Sequence, residues 1–395
     1  MSSRFLLIAA SIFCLGFSLE ASADIQAISS PAGNGSRTPY LISSANRLYM
    51  SWLEEKSESQ ALKFATYDGR SWSKPSTIVS GVPFFVNWAD FPSLLVLKNG
   101  MLAAHWLQKS GEGKYSYDVM ISVSSDNGKT WTNPVRPHRD GIQGEHGFVS
   151  LIPNTSGFDA IWLDSRRFDQ ADEHSMKNEM QLMTAVYSNG TFLPETVLDS
   201  RVCDCCQTAA AVANGNPIVL YRDRSGSDVR DIYYVRREGN QWSKPKVLYR
   251  DNWKIAACPV NGPAVAAQGN KVVAAWFTAA GDKPHVYAIF SSDGGRTFGK
   301  PVQIDGGNPT GRVDVKWIED GSALVSWLEN KGGKGADVMV RRVQPEGALS
   351  PVVIAPSTIA RASGFPRIAA WNKGAIVAWT HIGENTSTIK LAQID

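Results

Sequence analysis

The sequence predicts an all-β protein, a β-propeller built from four-stranded antiparallel blades. The first observation is a unit that occurs seven times along the chain. Its spacing of roughly fifty residues is typical of propeller blades. The second observation is an eight-residue turn that occurs twice almost unchanged, and the third is a composition with 34 Gly, 20 Pro and 13 Trp. That composition favours many short strands joined by turns.

Each unit opens with a short apolar strand, passes a turn that contains Gly or Asn, and continues with a strand that ends near an aromatic residue. In chain order the seven units begin with TPYLISSANRLYMSWLEE, FPSLLVLKNGMLAAHWLQ, FVSLIPNTSGFDAIWLDS, TAAAVANGNPIVLYRDRS, GPAVAAQGNKVVAAWFTA, RVDVKWIEDGSALVSWLE and FPRIAAWNKGAIVAWTHI. We expect each unit to form one blade, and we expect no long helix.

The repeated turn reads SSDNGKTW at residues 124–131 and SSDGGRTF at residues 291–298. In the first copy the Asp126 carboxylate can accept hydrogen bonds from backbone amides of its own turn. Gly128 suits a positive φ, and Trp131 can pack against the neighbouring blade. The second copy has Asp293, Gly295 and Phe298 at these places. We therefore predict that the turn is a structural fastener at the outer edge of a blade and has no chemical role.

The seventh unit stops after STIKLAQID, one strand short of a complete blade. The segment DIQAISS, which begins at Asp24, can supply the missing strand and close the ring. Closure removes the open sheet edges, which would otherwise be able to pair with other chains. We therefore predict a single propeller domain over residues 24–395.

Residues 1–23 have the pattern of a signal peptide. Arg4 precedes an apolar run, and Ala21, Ser22 and Ala23 form a small-residue cleavage site. The run is too short to be a membrane span, and no later stretch is apolar enough to cross a bilayer. We expect an exported, periplasmic or secreted protein that loses Cys14 together with the signal.

The charges of the chain nearly balance, with 40 Lys and Arg against 37 Asp and Glu and a formal net charge of +3. Such a balance provides no long-range attraction to nucleic acid, and no block of like charges indicates an interaction tail. We expect a monomer without a nucleic-acid partner and without a membrane span.

The pattern S-x-D-x-G-x-T-W resembles the Asp box, or BNR repeat, of the sialidase (neuraminidase) superfamily, and the repeat covers nearly the whole mature chain. The resemblance implies a six-bladed ring as an alternative to the seven counted units, and a site that requires no cofactor. It also implies an acidic glycan or other anionic ligand whose carboxylate is clamped by arginines, because a guanidinium binds a carboxylate through two parallel hydrogen bonds. SRTPYL makes Arg37 the first of these arginines, and VLYRDRS makes Arg222 or Arg224 the second.

The other catalytic residues of that family do not carry over. Where a sialidase has the glutamate that activates its tyrosine nucleophile, this chain has Cys205, Cys206 and Gln207. The expected place of the tyrosine reads GRVDVKW and contains no Tyr. Glycoside hydrolysis needs two carboxyl groups beside the scissile bond. An enzyme on this scaffold would therefore use a non-standard pair of carboxyl groups.

In a propeller, the residues just before each innermost strand gather around the central axis at one face. The candidate catalytic residues at these places are Asp90, Asp314, Glu145 and His146. Further candidate ligand-binding residues are Arg312 and Arg361. A ring of guanidinium and carboxylate groups suits a polar or anionic ligand. The alternative is that these arginines and carboxylates pair with one another and have a structural role.

The mature chain keeps four cysteines, Cys203, Cys205, Cys206 and Cys258. One interpretation is two disulfides, one of which ties the fourth unit to the fifth through Cys258, although the sequence cannot choose among the possible pairings. A second is a copper or zinc site formed by the thiols, with His146 as an added ligand. A third is a reactive thiol beside Arg222.

Three classes of function remain open. The first is an exported glycan-acting enzyme of sialidase type, which binds an acidic sugar through the arginines and cleaves it with a non-standard carboxylate pair. The second is a non-catalytic propeller that binds an anionic glycan or a protein in the same funnel. The third is a periplasmic copper, zinc or thiol-redox protein centred on the cysteines. We take the first as the working hypothesis.

Overall fold

The computed structural model describes residues 24–57, 59–168 and 178–395 of the chain. Their strands form seven antiparallel sheets, each of which is one blade. The innermost strand of every blade lies beside the innermost strands of the two neighbouring blades, so the blades close into a ring around a hub. The predicted seven-bladed propeller is confirmed, and the six-bladed alternative is wrong.

From the hub outward, blade 1 consists of Ser36–Ser44, Arg47–Lys56, Ser59–Tyr67 and Ser76–Ser80. Blade 2 consists of Ser93–Val96, Leu102–Lys109 and Tyr117–Ser124. Blade 3 consists of His146–Pro153, Gly157–Asp164, Met180–Ser188, Thr191–Phe192 and Thr196–Val202. Blade 4 consists of Ala209–Ala213, Asn216–Arg222, Ile232–Glu238, Gln241–Trp242 and Lys246–Val247. In blade 2 a single bridge between Ile121 and Val135 takes the place of the fourth strand.

Blade 5 consists of Ala264–Gln268, Lys271–Thr278, His285–Ser291 and Val302–Gln303. Blade 6 consists of Pro309–Trp317, Ala323–Gly332, Gly335–Gln344, Gly347–Ala348 and Val352–Thr358. Blade 7 consists of Arg367–Trp371, Gly374–Ile382, Ser387–Ile394 and the N-terminal strand Ile25–Ile28. Ile25 pairs with Ile394 and Ile28 with Leu391, so the predicted closure of the ring by the N-terminal strand is confirmed.

The hydrophobic core is divided into seven clusters, and each cluster lies between two adjacent blades. The second strands supply the largest buried side chains, which include Trp52, Trp106, Trp162, Trp276 and Trp327. Both faces of a blade meet a neighbouring blade, so these strands are apolar on both faces. Burying a large apolar side chain contributes roughly 1.5–3 kcal/mol. Packing between blades therefore stabilises the ring.

The repeated turn fastens one blade to the next. In the first copy Asp126 Oδ1 accepts a hydrogen bond from the backbone N–H of Thr130 at 2.9 Å. Gly128 has a φ of 81°, and a Cβ at this position would lie 2.2 Å from Cζ of Phe64 in blade 1. The rings of Trp131 and Phe64 meet edge to face, with centroids 6.0 Å apart. This turn therefore links blade 2 to blade 1, in agreement with the structural role that its residues predict.

The helical segments among the described residues are two short 3-10 turns, Ala280–Asp282 and Arg361–Ser363. Within the same described residues, no helix has the length and apolarity needed to span a membrane. The predicted signal peptide, residues 1–23, lies outside the described residues, so export stays a prediction.

Candidate functional site

A cavity of about 310 Å³ opens at one end of the hub. The connections that lead into the innermost strands form much of its wall. We call it the funnel cavity. Its polar wall residues include Glu145, Ser165, Asp204, Cys205, Cys258 and Arg361, and its aromatic wall residues are Trp88, Tyr115, Phe148 and Phe168.

A narrower channel of about 90 Å³ adjoins the funnel cavity, since Ala89 and Phe148 line both. The candidate carboxyl group of Asp314 lines this channel and not the funnel cavity. Asp314 lies 2.9 Å from Nζ of Lys316 and 3.3 Å from Nε of Arg367. Burial would raise the pKa of Asp314, but these two positive charges outweigh it and lower the pKa. Asp314 is therefore an ionised partner of two cations.

The Tyr117 hydroxyl lies between two other candidate carboxyl groups. Its oxygen is 3.0 Å from Oδ2 of Asp90 and 2.9 Å from Oε1 of Glu145. A phenol has one proton to donate. It can donate to one carboxylate only, so the other carboxyl group must carry its own proton to complete the second hydrogen bond. The three side chains form one proton-sharing group.

Both of these carboxyl groups titrate above their ordinary range. Burial raises the pKa of Asp90 to about 7, although hydrogen bonds from the Phe148 amide and the Tyr117 hydroxyl oppose the rise. Burial also raises the pKa of Glu145 well above its ordinary value, and the negative charges of Asp204 and Asp90 add to this effect. The Glu145 carboxyl group on the wall of the funnel cavity therefore holds its proton to higher pH than an exposed glutamate does.

The entry of the chain into the innermost strand of blade 3 brings these groups together. Gly147 leaves no room for a side chain, because a Cβ would lie 2.0 Å from Oδ2 of Asp90. Phe148 has a φ of 54°, and its N–H donates to Oδ1 of Asp90 at 2.8 Å. The Glu145 N–H donates to Oγ of Ser165 at 2.6 Å. Backbone contacts on both sides thus fix the position of the Glu145 side chain.

Two of the predicted ligand-binding arginines are buried and donate to backbone carbonyls. Arg222 is 1% exposed and donates to the carbonyl oxygens of Asn261 and Phe277 in the neighbouring unit. Arg312 donates to three carbonyl oxygens within residues 359–364, and burial lowers its pKa to about 10. In this structure both guanidinium groups link adjacent blades, and a ligand role for them stays a prediction.

The other three predicted arginines are more accessible or paired with acids. Arg37 forms an ion pair with Glu55, and Arg224 forms one with Asp228 at 3.0 Å. Arg361 is exposed at the start of the 3-10 turn that precedes blade 7. Of the five predicted arginines, all within the described residues, Arg361 is the one that lines the funnel cavity.

His146 belongs to a separate buried cluster beneath Glu145. Its Nδ1 is 3.2 Å from the carbonyl oxygen of Tyr117, and its Nε2 is 2.8 Å from Oδ2 of Asp140. Both neighbours accept hydrogen bonds, so both ring nitrogens donate and the ring is an imidazolium. Burial alone would lower its pKa, but Asp140 and Asp164 raise it. His138 stacks parallel to this ring with centroids 3.8 Å apart.

The four predicted cysteines are together at the edge of the funnel cavity and have free thiols in this structure. The Cys203 sulfur is 3.7 Å from that of Cys205 and 3.4 Å from that of Cys206. Burial alone would raise the pKa of Cys203, but hydrogen bonding with these two thiols and the charge of Arg230 lower it well below its ordinary value. The predicted disulfides are not formed in this structure.

The structure therefore gathers Glu145, Cys205, Cys258 and Arg361 around one cavity, with Asp90 directly behind. Sequence reasoning missed Tyr117, which joins the two carboxyl groups. Tyr117 begins the third strand of blade 2, whereas the predicted carboxyl groups lie just before innermost strands or within them. A tyrosine at a strand start has no distinguishing pattern, so only the closed ring reveals its place.

No family model matches the chain, and no curated relative matches it. Among solved structures, this chain is similar to an ulvan lyase from a new family of polysaccharide lyases, bound to -[GlcA(1-4)Rha3S]-. The two chains are 14% identical over 93% of this chain and 95% of the lyase chain, with a TM-score of 0.55. A protein of unknown function from Dyadobacter fermentans is 15% identical over 94% of this chain and 97% of that chain, with a TM-score of 0.52. The NanB sialidase from Streptococcus pneumoniae is 14% identical over 93% and 69%, with a TM-score of 0.45. At these identities the likeness to solved structures concerns the fold alone.

Proposed function

We propose that this chain is an exported enzyme that binds a carboxylate-bearing glycan in the funnel cavity and protonates its glycosidic oxygen through Glu145. The observation that carries the proposal is the placement of the Glu145 carboxyl group, bridged by Tyr117 to Asp90, on the wall of a cavity that also contains Arg361. A general acid must hold its proton at the working pH, and the raised pKa of Glu145 provides this. The signal-peptide pattern of residues 1–23 supports export.

Recognition of the sugar is assigned to Arg361 and two aromatic residues. An exposed guanidinium on a cavity wall can bind a carboxylate through two parallel hydrogen bonds. Trp88 and Tyr115 line the same cavity and offer flat apolar surfaces to a sugar ring. The Arg361 guanidinium therefore favours an anionic sugar over a neutral one, and the two aromatic rings can pack against the sugar ring.

For hydrolysis, we assign the general acid to Glu145 and the general base to Asp204. Glu145 gives its proton to the leaving glycosidic oxygen, while Asp204 takes a proton from the water whose oxygen bonds to the anomeric carbon. Asp204 lines the same cavity, and Arg230 lies 3.4 Å from it as a positive partner for the carboxylate. After each turnover Asp204 releases its proton to water, and water returns a proton to Glu145, for which Tyr117 and Asp90 offer a hydrogen-bonded path. No step requires a metal ion or an organic cofactor.

The ulvan lyase similarity supports an acidic sugar, because the GlcA in its bound unit carries a carboxylate. A lyase cleaves by elimination, in which a base removes the proton beside the carboxylate and an acid protonates the leaving oxygen. Glu145 could serve as the acid in either reaction. The product separates the two, since elimination leaves an unsaturated sugar whereas hydrolysis leaves a saturated one.

The test is an activity assay of the mature chain on GlcA-containing polysaccharides and on sialosides, with new reducing ends and unsaturated products both recorded. Glu145→Gln should lower kcat by about 10²-fold or more with little effect on binding. Arg361→Ala should weaken binding, measured by calorimetry, by about tenfold or more. Arg342→Ala, which removes a half-buried arginine paired with Asp320 away from the funnel cavity, is the control and should leave both quantities unchanged.

Two outcomes would contradict the enzyme assignment. Binding that depends on Arg361 but proceeds without turnover would identify the alternative, a non-catalytic glycan-binding propeller. Absence of both binding and turnover for every anionic glycan would refute the proposal. Turnover that survives in Glu145→Gln would keep an enzyme but remove Glu145 from the acid role.

A further inference from the structure

The cysteines come from two connections that meet at the rim of the hub. Cys203, Cys205 and Cys206 lie between the last strand of blade 3 and the first strand of blade 4. Cys258 lies on the connection into blade 5. These two connections are in direct contact, because a Cβ on Gly262 would lie 2.1 Å from the carbonyl oxygen of Gln207. The backbone of the fold thus holds the thiols together.

The sulfur atoms are spaced as ligands of one ion would be. The Cys203 sulfur is close to two others, at 3.7 Å from Cys205 and 3.4 Å from Cys206. The three sulfurs all lie within 4.8 Å of one another, and Cys258 lies within that distance of Cys205. Two sulfurs bound to one tetrahedral zinc ion are about 3.8 Å apart, given a metal–sulfur distance of about 2.3 Å. A disulfide could use only one of these contacts, whereas one ion could bind the three mutually close sulfurs, and Cys258 adjoins this group through Cys205.

The surroundings of the thiols favour their negatively charged thiolate form, which is the form that binds a metal ion. Arg230 is 3% exposed, and its Nη1 lies 3.2 Å from the Cys203 sulfur. The Cys203 N–H donates to the carbonyl oxygen of Arg222 at 3.0 Å, which fixes the loop. A buried cation beside a ligand sulfur offsets the negative charge of several thiolates, as outer-shell partners do in metal sites.

We propose that the thiols of Cys203, Cys205, Cys206 and Cys258 form a binding site for one thiophilic d10 ion, Cu⁺ or Zn²⁺. Thiolate sulfur is the soft ligand that selects these ions over hard cations such as Mg²⁺ and Ca²⁺. Cys203 and Cys206 are buried, whereas Cys205 and Cys258 line the funnel cavity. An ion can therefore enter from the cavity, and once bound it has one side facing the space where the glycan is proposed to lie.

A second group of possible ligands, Asp118, His138 and His146, does not compete with this assignment. Both nitrogens of the His146 ring already donate to protein acceptors. His138 Nε2 accepts a hydrogen bond from the backbone N–H of Val119 at 3.3 Å. An ion at this group would have to break these hydrogen bonds, whereas at the thiols it would mainly replace contacts among the sulfurs themselves.

The experiment titrates the reduced, metal-free mature chain with Zn²⁺ and, in a separate arm, with Cu⁺ against a competing chelator. We expect one ion per chain, and X-ray absorption should show a shell of three or four sulfur atoms at about 2.3 Å. Cys205→Ser and Cys258→Ser change accessible thiols, so the fold should survive, and each should weaken binding at least tenfold. Ser200→Ala, at an exposed position on the strand leading to the cluster, is the control and should bind as the wild type does.

The proposal is overturned by three results. One is a reduced chain that binds neither ion, and another is a bound ion whose shell contains only nitrogen and oxygen. The third is full affinity in the Cys205→Ser, Cys258→Ser double variant. None of these readouts measures glycan cleavage, so their failure leaves the assignment of Glu145 untouched.

Discussion

Buried carboxyl groups of this propeller differ in charge because their neighbours differ. Asp90 and Asp314 are 2% and 3% exposed, so both lose most of their contact with water. Asp314 has Lys316 and Arg367 beside it, which lower its pKa, whereas Asp90 has a phenol and no such cation, and its pKa rises to about 7. The sign of the neighbouring charge decides between the two outcomes. Proton transfer is therefore assigned to the Asp90 side of the hub.

Replacing Tyr117 with Phe tests this proton-sharing group. The hydroxyl stabilises the charged form of Asp90, so its loss should raise the pKa of Asp90 above about 7. A hydrogen bond to a charged group contributes about 1.5–3 kcal/mol, and one pKa unit corresponds to about 1.4 kcal/mol. The rise should thus be about one unit or more, measured from the carboxyl bands in infrared titration. Tyr67→Phe is the control, and a fall of the pKa in Tyr117→Phe would contradict the arrangement.

Arg222→Ala separates a structural arginine from a ligand clamp. The change leaves the carbonyl oxygens of Asn261, Arg230 and Phe277 without their buried donor. Each such group costs about 1–3 kcal/mol, so the free energy of unfolding in urea should fall by about 3–5 kcal/mol. Arg361→Ala, at an exposed position, should change it by no more than about 0.5 kcal/mol. Normal stability with lost glycan binding in Arg222→Ala would favour the clamp that the sequence predicts.

The sequence locates Asp90 and Glu145 correctly near the axis, because their position depends only on the place before an innermost strand. It cannot tell which way a guanidinium turns. Arg222 and Arg361 are both predicted to bind the ligand, yet one meets carbonyl oxygens and the other the cavity. That difference depends on the shape of neighbouring blades. Tyr117 is missed for the same reason, since its partners come from other strands.

At the scale of secondary-structure elements, three of the seven innermost strands, those of blades 1, 3 and 6, bulge where they enter the hub. Thr38, Phe148 and Arg312 have φ values of 51°, 54° and 60°, and each lies at or beside a register shift in the pairing with the second strand. Such conformations cost on the order of 1–3 kcal/mol each and collect at functional sites. A bulge re-aims the end of a strand, which here directs side chains toward the axis. Thr, Phe and Arg do not favour this conformation, so the sequence provides no signal for it.

Gly128 of the repeated turn can be compared with Gly141, a glycine of similar backbone conformation on the connection from blade 2 to blade 3. Gly128 and Gly141 have φ values of 81° and 72°, but only Gly128 faces a close neighbour, the ring of Phe64. Gly141→Ala should cost about 1–2 kcal/mol for the left-handed conformation. Gly128→Ala should cost about 1–3 kcal/mol more, because the added methyl group displaces Phe64. Urea unfolding of both variants measures the difference, and equal losses would show that the turn does not fasten blade 2 to blade 1.

The whole ring is the level at which sequence reasoning succeeds best. Seven repeats, seven second strands that end near an aromatic residue and an incomplete last unit determine the number of blades and the closure by Ile25–Ile28. These features are periodic, so every unit supports the same conclusion. Contacts among hub residues are not periodic, because each position around the axis has different neighbours. For this reason the fold can be derived from the sequence while the site cannot.

The ring also buries enough titratable groups to set the pH dependence of its stability. Burial is the main cause of a raised pKa in five carboxyl groups, namely Asp90, Glu145, Asp199, Asp223 and Asp251. Between their ordinary and raised pKa values the folded chain keeps protons that the unfolded chain has released. Stability therefore falls as the pH rises through this window. His105 and His138, whose pKa values burial lowers, act in the opposite direction below about pH 6.5.

The five carboxyl groups outnumber the groups that act in the opposite direction, which are His105, His138 and the Cys203 thiol, so stability should fall as the pH rises. The melting temperature should be higher near pH 5 than near pH 7.5, with each net proton worth about 1.4 kcal/mol per pH unit. Carboxyl groups with lowered pKa values, such as Asp140 and Asp314, reduce stability only at more acidic pH. In the Asp90→Asn, Glu145→Gln double variant two of the five contributions are gone, and the curve between these pH values should flatten. The same pH dependence in the wild type and the double variant would show that Asp90 and Glu145 do not hold protons above their ordinary range, which would remove the acid from the funnel cavity.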